Sequence, residues 1–250
     1  MNWLGTGLSN IGCVRTTNQD SYIVNNDLGL WVVADGMGSH QDSAVASQMA
    51  VESINQFLQD HVPSAANSLF PNWPSKLQKA ITHASSAILA KSKTQASLEG
   101  IGTTVVLAYL PPSPSKDLYI AHAGDSRAYL LRDTSLTPLT RDHTLLEDHI
   151  QSGLLPPSTP SNHKFGHILT KAVGIEASID VDCSRHILDD MDKILLCTDG
   201  LMKMLDDQAI LDICLHSRTH TSQALCEALI EAALQHGGRD NVTVVLIQRE

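Results

Sequence analysis

Apolar residues follow two rhythms along this chain. Short runs of Val, Ile, Leu and Trp stop abruptly at turn residues, as strands do. Longer stretches repeat apolar positions every three or four residues, as amphipathic helices do. Leu4–Ser9 reads as a first strand, followed by a polar turn from Gly12 to Ser21. Tyr22-Ile23-Val24 leads through Asn25-Asn26-Asp27 into the strand Leu30-Trp31-Val32-Val33, a hairpin that sets Asp20 and Asp35 on nearby backbone. Ser43–Val62 carries Ala46, Met49, Ala50, Ile54, Phe57 and Leu58 at helical spacing. After the loop Pro63–Pro74, Ser75–Lys93 does the same with Leu77, Ala80, Ile81, Ala84, Ala87 and Ile88. Gly100–Leu110 returns to strand character. Leu118–Ala123, Ala128–Arg132 and Leu136–Leu139 are spaced as an antiparallel meander. An amphipathic segment, Thr144–Ser152, precedes Gly153–Gly166, whose Pro, Ser and Asn predict a mobile loop or flap. Leu169–Gly174 and Ala177–Cys183 look sheet-like, and Ile194–Cys197 is a strand. Asp206–His216 and Ser222–His236 are helical, the latter closed by Gly237-Gly238, and Val242–Ile247 is the last strand. This order lacks a regular β-α-β alternation. It suits two antiparallel sheets with helices packed outside.

Acids punctuate these elements at special places. Leu30-Trp31-Val32-Val33-Ala34 breaks into Asp35-Gly36-Met37-Gly38, and Ile194-Leu195-Leu196-Cys197-Thr198 breaks into Asp199-Gly200. Asp125 follows Ala123-Gly124, and Asp240 precedes the final strand. In an antiparallel arrangement the ends of some strands and the starts of others share one sheet edge, so these four carboxylates can converge. Oxygen-only donors of this kind suit Mg²⁺ or Mn²⁺. Each residue also has a plainer reading. Asp35 can be an ordinary Asp-Gly turn, Asp125 can cap a turn and pair with Arg127, Asp240 can merely start a turn, and Arg15 can be a surface ion-pair partner.

Composition narrows the partners. The 250 residues suit one large domain or two small ones with a sizeable core. A formal net charge of −10, with no Lys/Arg-rich patch, argues against nucleic acid. The five cysteines are scattered, odd in number and without a Cys-x-x-Cys pair, as reduced thiols of a cytoplasmic protein are. There is no basic region followed by a long apolar run, and no stretch long enough to cross a membrane, so neither a signal peptide nor a membrane partner is expected.

Eight pieces of the chain form a recognisable series: Arg15-Thr16-Thr17-Asn18-Gln19-Asp20, Val33-Ala34-Asp35-Gly36-Met37-Gly38, Gly102-Thr103-Thr104, Ala123-Gly124-Asp125-Ser126-Arg127, Leu139-Thr140-Arg141-Asp142-His143, Leu169-Thr170-Lys171-Ala172-Val173-Gly174, Cys197-Thr198-Asp199-Gly200 and Gly238-Arg239-Asp240-Asn241-Val242-Thr243. In these pieces the chain resembles the metal-dependent protein phosphatases of type 2C in their compact bacterial form. These pieces follow the family's order and span nearly the whole chain. The resemblance implies an α+β fold, a four-layer α-β-β-α sandwich of two antiparallel sheets flanked by helices. It implies one catalytic domain over 1–250, with a flap around 144–168.

It also implies a site. Asp35 would bridge two metal ions, and Gly36 would contribute its carbonyl oxygen. Asp199 and Asp240 would hold one of these ions, and Asp20 would contact the site directly or through a metal-bound water. Asp125 is similar to the acid that helps bind a third, weaker ion. Arg15 would grip the substrate phosphate. Asn241 would orient the Asp240 loop. Met37 stands where animal members carry a His, so His40 is the candidate proton donor, with a supporting role as its alternative. Gln19 replaces the usual Glu and can still hold a metal-bound water, Ser39 replaces a usual Gly, and Ser43-Ala44 replaces Gly-Glu at the following helix start. Two other patterns are set aside. Asp180-Val181-Asp182 lacks the context of an aspartyl-phosphate phosphatase. His163/His167 and His216/His220 lack the Glu of a zinc-peptidase helix.

The expected activity is hydrolysis of phosphoserine and phosphothreonine in proteins by attack of a metal-activated water, with two core Mg²⁺ or Mn²⁺ ions. The expected partners are phosphorylated proteins and an opposing bacterial serine/threonine kinase, with a secretion-system component as a further one. The rivals are a catalytically impaired phosphoprotein-binding scaffold of the same fold, for which Gln19 is the support, and a small-molecule phosphatase.

Overall fold

The computed structural model describes residues 2–38, 42–62, 72–112, 116–160, 163–216 and 221–250. Among them, two antiparallel sheets lie face to face between two pairs of longer helices. The first sheet contains β1 (Trp3–Asn10), β7 (Arg127–Arg132), β8 (Ser135–Pro138), β10 (Lys193–Cys197) and β11 (Val242–Arg249), in the spatial order β1-β11-β10-β7-β8. The second contains β2 (Asp20–Asn25), β3 (Leu30–Met37), β5 (Val105–Tyr109), β6 (Asp117–Ala123) and β9 (Asp182–Ile187), in the order β2-β3-β5-β6-β9, with the two-residue β4 (Gly102–Thr103) paired to the end of β3. Helices α1 (Ser43–His61) and α2 (Trp73–Ser92) cover the second sheet. The short α4 (Asp199–Met202) with α5 (Asp207–His216) and α6 (Ser222–Gln235) covers the first. A short helix α3 (Leu145–Gln151), capped by the Thr144 hydroxyl, lies in the segment expected to form a flap.

The period-two alternation of strands sorts the apolar residues into three cores. Along β3, Leu30, Val32 and Ala34 pack under α1 and α2. Trp31 and Val33 point the other way, into the space between the sheets. Asp35 is next in that second series, so its side chain shares the inter-sheet face. Along β11, Val242, Val244 and Leu246 pack under α6, whereas Val245 and Ile247 face the opposite sheet. Thr243 therefore also points between the sheets. Both faces of these strands are buried, which is why they read as nearly continuous apolar runs.

Two expectations are corrected. Leu118–Ala123, Ala128–Arg132 and Leu136–Leu139 do not form one meander. β6 pairs with β5 and β9, whereas β7 pairs with β10 and β8. The chain crosses from one sheet to the other at Gly124–Ser126, so Asp125 lies at a crossover rather than in a hairpin. Leu169–Gly174 makes only isolated bridges, such as Thr103 with Val173, and the strand that follows starts at Asp182 instead of Ala177. Gly153–Gly166 carries, where described, a series of backbone-bonded turns, including Thr159 to Pro156 and Gly166 to His163. The expected close of α6 holds, for the Gly237 and Gly238 amides donate to the Leu234 and Ala233 carbonyls.

Candidate metal centre

The hairpin between β2 and β3 sets its register so that Asp20 lies directly opposite Asp35. Two carboxylates thus meet on neighbouring strands, on the inter-sheet face. The Asp35 backbone is braced by the next strand: its amide donates to Thr104 Oγ1 at 3.1 Å, and its carbonyl accepts from Thr103 Oγ1 at 2.8 Å. Gly36 follows because nothing larger fits. A Cβ there would lie 2.4 Å from the Ser43 carbonyl oxygen and 2.6 Å from that of Gln19.

Asp20 is fixed from the opposite sheet. Its Oδ2 accepts from Thr198 Oγ1 at 2.9 Å and from Thr243 Oγ1 at 2.7 Å. Its Oδ1 is buried with no partner. Asp199 stands at the start of α4, immediately after β10, and its Oδ1 is also buried without a partner. Asp240 lies in the turn that starts β11. Its Oδ1 takes the Arg15 guanidinium Nε at 2.8 Å, and its Oδ2 takes Lys203 Nζ at 2.8 Å. Lys203 also reaches Asp199 Oδ2 at 2.6 Å. Arg127 pairs with Asp142 at 2.7 Å, so the proposed Asp125–Arg127 pair is not formed.

Asn241 does more than orient the Asp240 turn. Its Nδ2 donates to the carbonyls of Ile11 and Thr17, and its Oδ1 accepts from the Gln19 amide. It thereby ties the loop that carries Arg15 to the start of β11. Gln19 uses its main chain as a further tie, for its carbonyl accepts from the Gly36 amide and from Ser47 Oγ. His40 lies outside the described residues, as does Ser39.

Burial and mutual repulsion set the electrostatics. Desolvation, followed by repulsion from Asp20 and Asp199, holds the Asp35 carboxyl well above the usual carboxylate range. Asp20 is pushed up to about 7 by desolvation, against its two threonine hydrogen bonds. Asp125 is pushed up to about 7 by desolvation and then by Asp199. Asp199 is raised in the same way, in spite of Lys203. Asp240 alone of the five falls below the usual range, because Lys203 and Arg15 outweigh its desolvation. These couplings show that the five acids share one electrostatic site. Buried acids with orphaned oxygens and too few cations are suited to a divalent ion, and a set of oxygen donors suits a hard one. The residues present therefore fit Mg²⁺ or Mn²⁺.

A second cluster lies nearby and is chemically different. His122, His143 and Asp182 bring potential ligand atoms within 4.8 Å of one another, as no three of the five acids do among the described residues. Yet the two imidazoles stack 4.4 Å apart at 9°, so their in-plane lone pairs run parallel and do not meet at a point. His143 Nδ1 accepts from the Gly124 amide, which leaves Nε2 as the protonated nitrogen. Lys171 already neutralises Asp182 at 2.9 Å and Asp180 at 2.8 Å. This trio serves as a brace. It ties the Gly124 turn beside Asp125 to the base of the flap, where the Thr170 amide donates to the His143 carbonyl. Asp180 and Asp182 both hold Lys171, in keeping with the dismissal of the Asp-x-Asp pattern.

Carboxylates gathered between two sheets, beside a guanidinium, suit a metal-dependent enzyme acting on phosphate esters. The family model for protein phosphatase 2C matches residues 13–236, and the chain belongs to that family. It is a protein phosphatase. It is 33% identical over 242 residues to the serine/threonine phosphatase stp of Listeria monocytogenes, covering 96% of this chain and 93% of that protein. The crystal structure of the Mycobacterium tuberculosis serine/threonine phosphatase PstP/Ppp matches 100% of both chains with a TM-score of 0.88 and 31% identity. A PstP catalytic domain in complex with two manganese ions matches 98% of this chain and 97% of that one, with a TM-score of 0.80 and 31% identity. The α-β-β-α sandwich is the fold expected from the resemblance.

The residues that sequence reasoning left without a role are Thr103, Thr104, Thr198, Thr243, Lys203 and His143. The first four lay inside quoted motifs, and their common signal is a hydroxyl at the end or start of an apolar strand. Lys203 had a local signal as well, since it stands four residues after Asp199 beside a helix start.

Proposed function

We propose that this chain hydrolyses phosphoserine and phosphothreonine in proteins, as a single catalytic domain over 1–250. The observation that supports this most strongly is the complete set Asp20, Asp35, Asp125, Asp199 and Asp240 on one inter-sheet site, with Arg15 bonded to Asp240 at its rim. A complete acid set favours turnover over a binding scaffold.

In this reading Asp35 lies at the centre and binds through its side chain, assisted by the Gly36 carbonyl. Asp199 and Asp240 bind from the other sheet, Asp20 from the neighbouring strand, and Asp125 from the crossover. When bound, Mg²⁺ or Mn²⁺ neutralises phosphoryl charge and makes water a stronger nucleophile at neutral pH. Arg15, half exposed in its side chain, exchanges Asp240 for the phosphoryl oxygens of the substrate, to which its planar donors are matched. The exposure of Arg15 favours a pose with the ester oxygen toward solvent, which suits a side chain extending from a protein substrate. His40 is the proposed donor of a proton to the leaving serine or threonine oxygen. The segment 144–168 is the proposed flap that selects the sequence around the phosphate.

The phosphoproteins are made by a cognate serine/threonine kinase, and the enzyme works with it in the cytoplasm. A secretion-system component is a second candidate partner. The deciding experiment compares a phosphothreonine peptide with phosphorylated metabolites, in Mn²⁺, for the native chain and for Asp35→Asn. The native chain is expected to prefer the peptide. Asp35→Asn is expected to lose about 10³-fold in kcat, corresponding to several kcal/mol of transition-state stabilisation. Equal rates in the two proteins would remove the mechanism, and a preference for metabolites would replace the substrate class.

A further inference from the structure

Lys203 holds two of the proposed metal-binding acids at once. Its main chain is fixed by α4, because its amide donates to the Asp199 carbonyl at 2.8 Å. Its Nζ lies 2.6 Å from Asp199 Oδ2 and 2.8 Å from Asp240 Oδ2. These acids come from different elements, the start of α4 and the turn before β11, and meet on one ammonium. The remaining Asp199 oxygen, Oδ1, is buried without a partner, so Lys203 holds that carboxylate by one side only.

From this geometry we propose that Lys203 is a tethered counter-cation that competes with a divalent ion for Asp199 and Asp240, and so weakens the binding of that ion. The proposal rests on the assignment of these acids as metal ligands.

The chemistry is a conflict between two cations of different kinds. An ammonium donates three hydrogen bonds and accepts none, so it can only occupy carboxylate oxygens or water. A hard dication requires the same oxygens and repels an ammonium beside it. Lys203 carries its charge on a flexible four-carbon stem and is about one-third exposed in its side chain (31%), so it can swing to solvent without disturbing the core. Arg15, in contrast, holds the other Asp240 oxygen, so both oxygens of Asp240 already have a cation as partner. Filling the site then means releasing that lysine. The apparent affinity for a divalent ion is then lowered by a side chain of the protein itself.

The opposite role is an organiser that presents both acids to the ion, and its removal would have the opposite sign. Mn²⁺ is titrated calorimetrically into the chelator-treated full chain, and into Lys203→Met, Lys203→Gln and Asp35→Asn. Lys203→Met and Lys203→Gln are expected to bind Mn²⁺ about tenfold more tightly, because a nearby positive charge is gone. Unchanged or weaker binding in either variant, with native circular dichroism, overturns the proposal. Two variants keep the test decisive if one fails to fold. Asp35→Asn separates the two levels of the argument. If it binds Mn²⁺ as the native chain does, the metal-site assignment itself fails. If it loses Mn²⁺ while the Lys203 variants match the native chain, only the role of Lys203 fails.

Discussion

Asn241 spends every polar atom of its side chain on one loop. Its two amide hydrogens go to the Ile11 and Thr17 carbonyls at 2.9 and 3.0 Å, and its oxygen takes the Gln19 amide at 2.9 Å. The residue is nearly buried, so removing the amide leaves a donor and two acceptors without their partner. Asn241→Ala is expected to lower the unfolding free energy by about 3 kcal/mol, at roughly 1 kcal/mol for each bond. Asn241→Asp is expected to be worse than Ala, because it aims a second acceptor at two carbonyl oxygens and adds a charge to an acidic site. Urea unfolding midpoints of the two variants check this order. Since the loop carries Arg15, the kinetic effect of Asn241→Ala should fall on KM for a phosphopeptide more than on kcat. A reversed stability order, or an unchanged KM, would deny this residue its tie to the phosphate-binding loop.

The meeting of α4 with the turn before β11 is the tightest contact between elements at the site. A Cβ built on Gly200 would lie 1.9 Å from the Asn241 carbonyl oxygen, an overlap that only backbone movement can relieve. Gly200→Ala must therefore push α4 from the Asp240 turn and separate Asp199 from Asp240. Its Mn²⁺ affinity is expected to fall by more than about tenfold, out of proportion to the loss of helix stability from one methyl group. A Gly200→Ala protein with native Mn²⁺ affinity would show that the two acids need not stay close. At this scale much was legible in the sequence. The hairpin from Tyr22 to Val33 signalled its own turn, and Asp20 with Asp35 followed from it. The alternation along β3 assigned each residue to a face. What could not be read was the neighbour of each strand. The spacing of 118–123, 128–132 and 136–139 is local and looks the same whether the chain stays in one sheet or changes sheets. The change at Gly124–Ser126 depends on pairing with β9 and β10, more than fifty residues downstream. For the same reason Thr198 and Thr243 gave no sign that they grip Asp20, 178 and 223 residues away in sequence.

Over the whole molecule, the acid cluster and the His143 brace give the fold a pH dependence that metal should invert. Asp20 and Asp125 rise to about 7 in the fold, against 3.8 as an ordinary carboxyl. Between those values the folded chain holds protons that the unfolded chain has released. Stability in chelator is therefore highest near and below the lower value and declines as pH rises toward 7, by up to roughly 1.4 kcal/mol per pH unit for each group. His143 works in the opposite direction. Desolvation, followed by His122 and Lys171, lowers it to about 4 from 6.5. The unfolded chain then takes up a proton first, and stability falls as pH drops from 6.5 toward 4. Burial lowers His122 and His186 as well, so three histidines oppose Asp20, Asp35, Asp125 and Asp199, and the net slope in chelator is downward with rising pH above about 6.5, where no histidine compensates. Saturating Mn²⁺ requires the acids to be ionised, so its binding displaces their protons and gains strength with pH. Melting temperatures measured from about pH 6.5 to pH 8 should thus diverge: the chelated protein falls while the Mn²⁺ protein holds or rises. Calorimetry in buffers of different ionisation heat should find more protons released on Mn²⁺ binding at about pH 6 than at about pH 8, because Asp20 and Asp125 lose theirs near 7. A gap independent of pH, with no proton release at the lower value, would mean that the five acids are already ionised in the fold and that another partner compensates their charge.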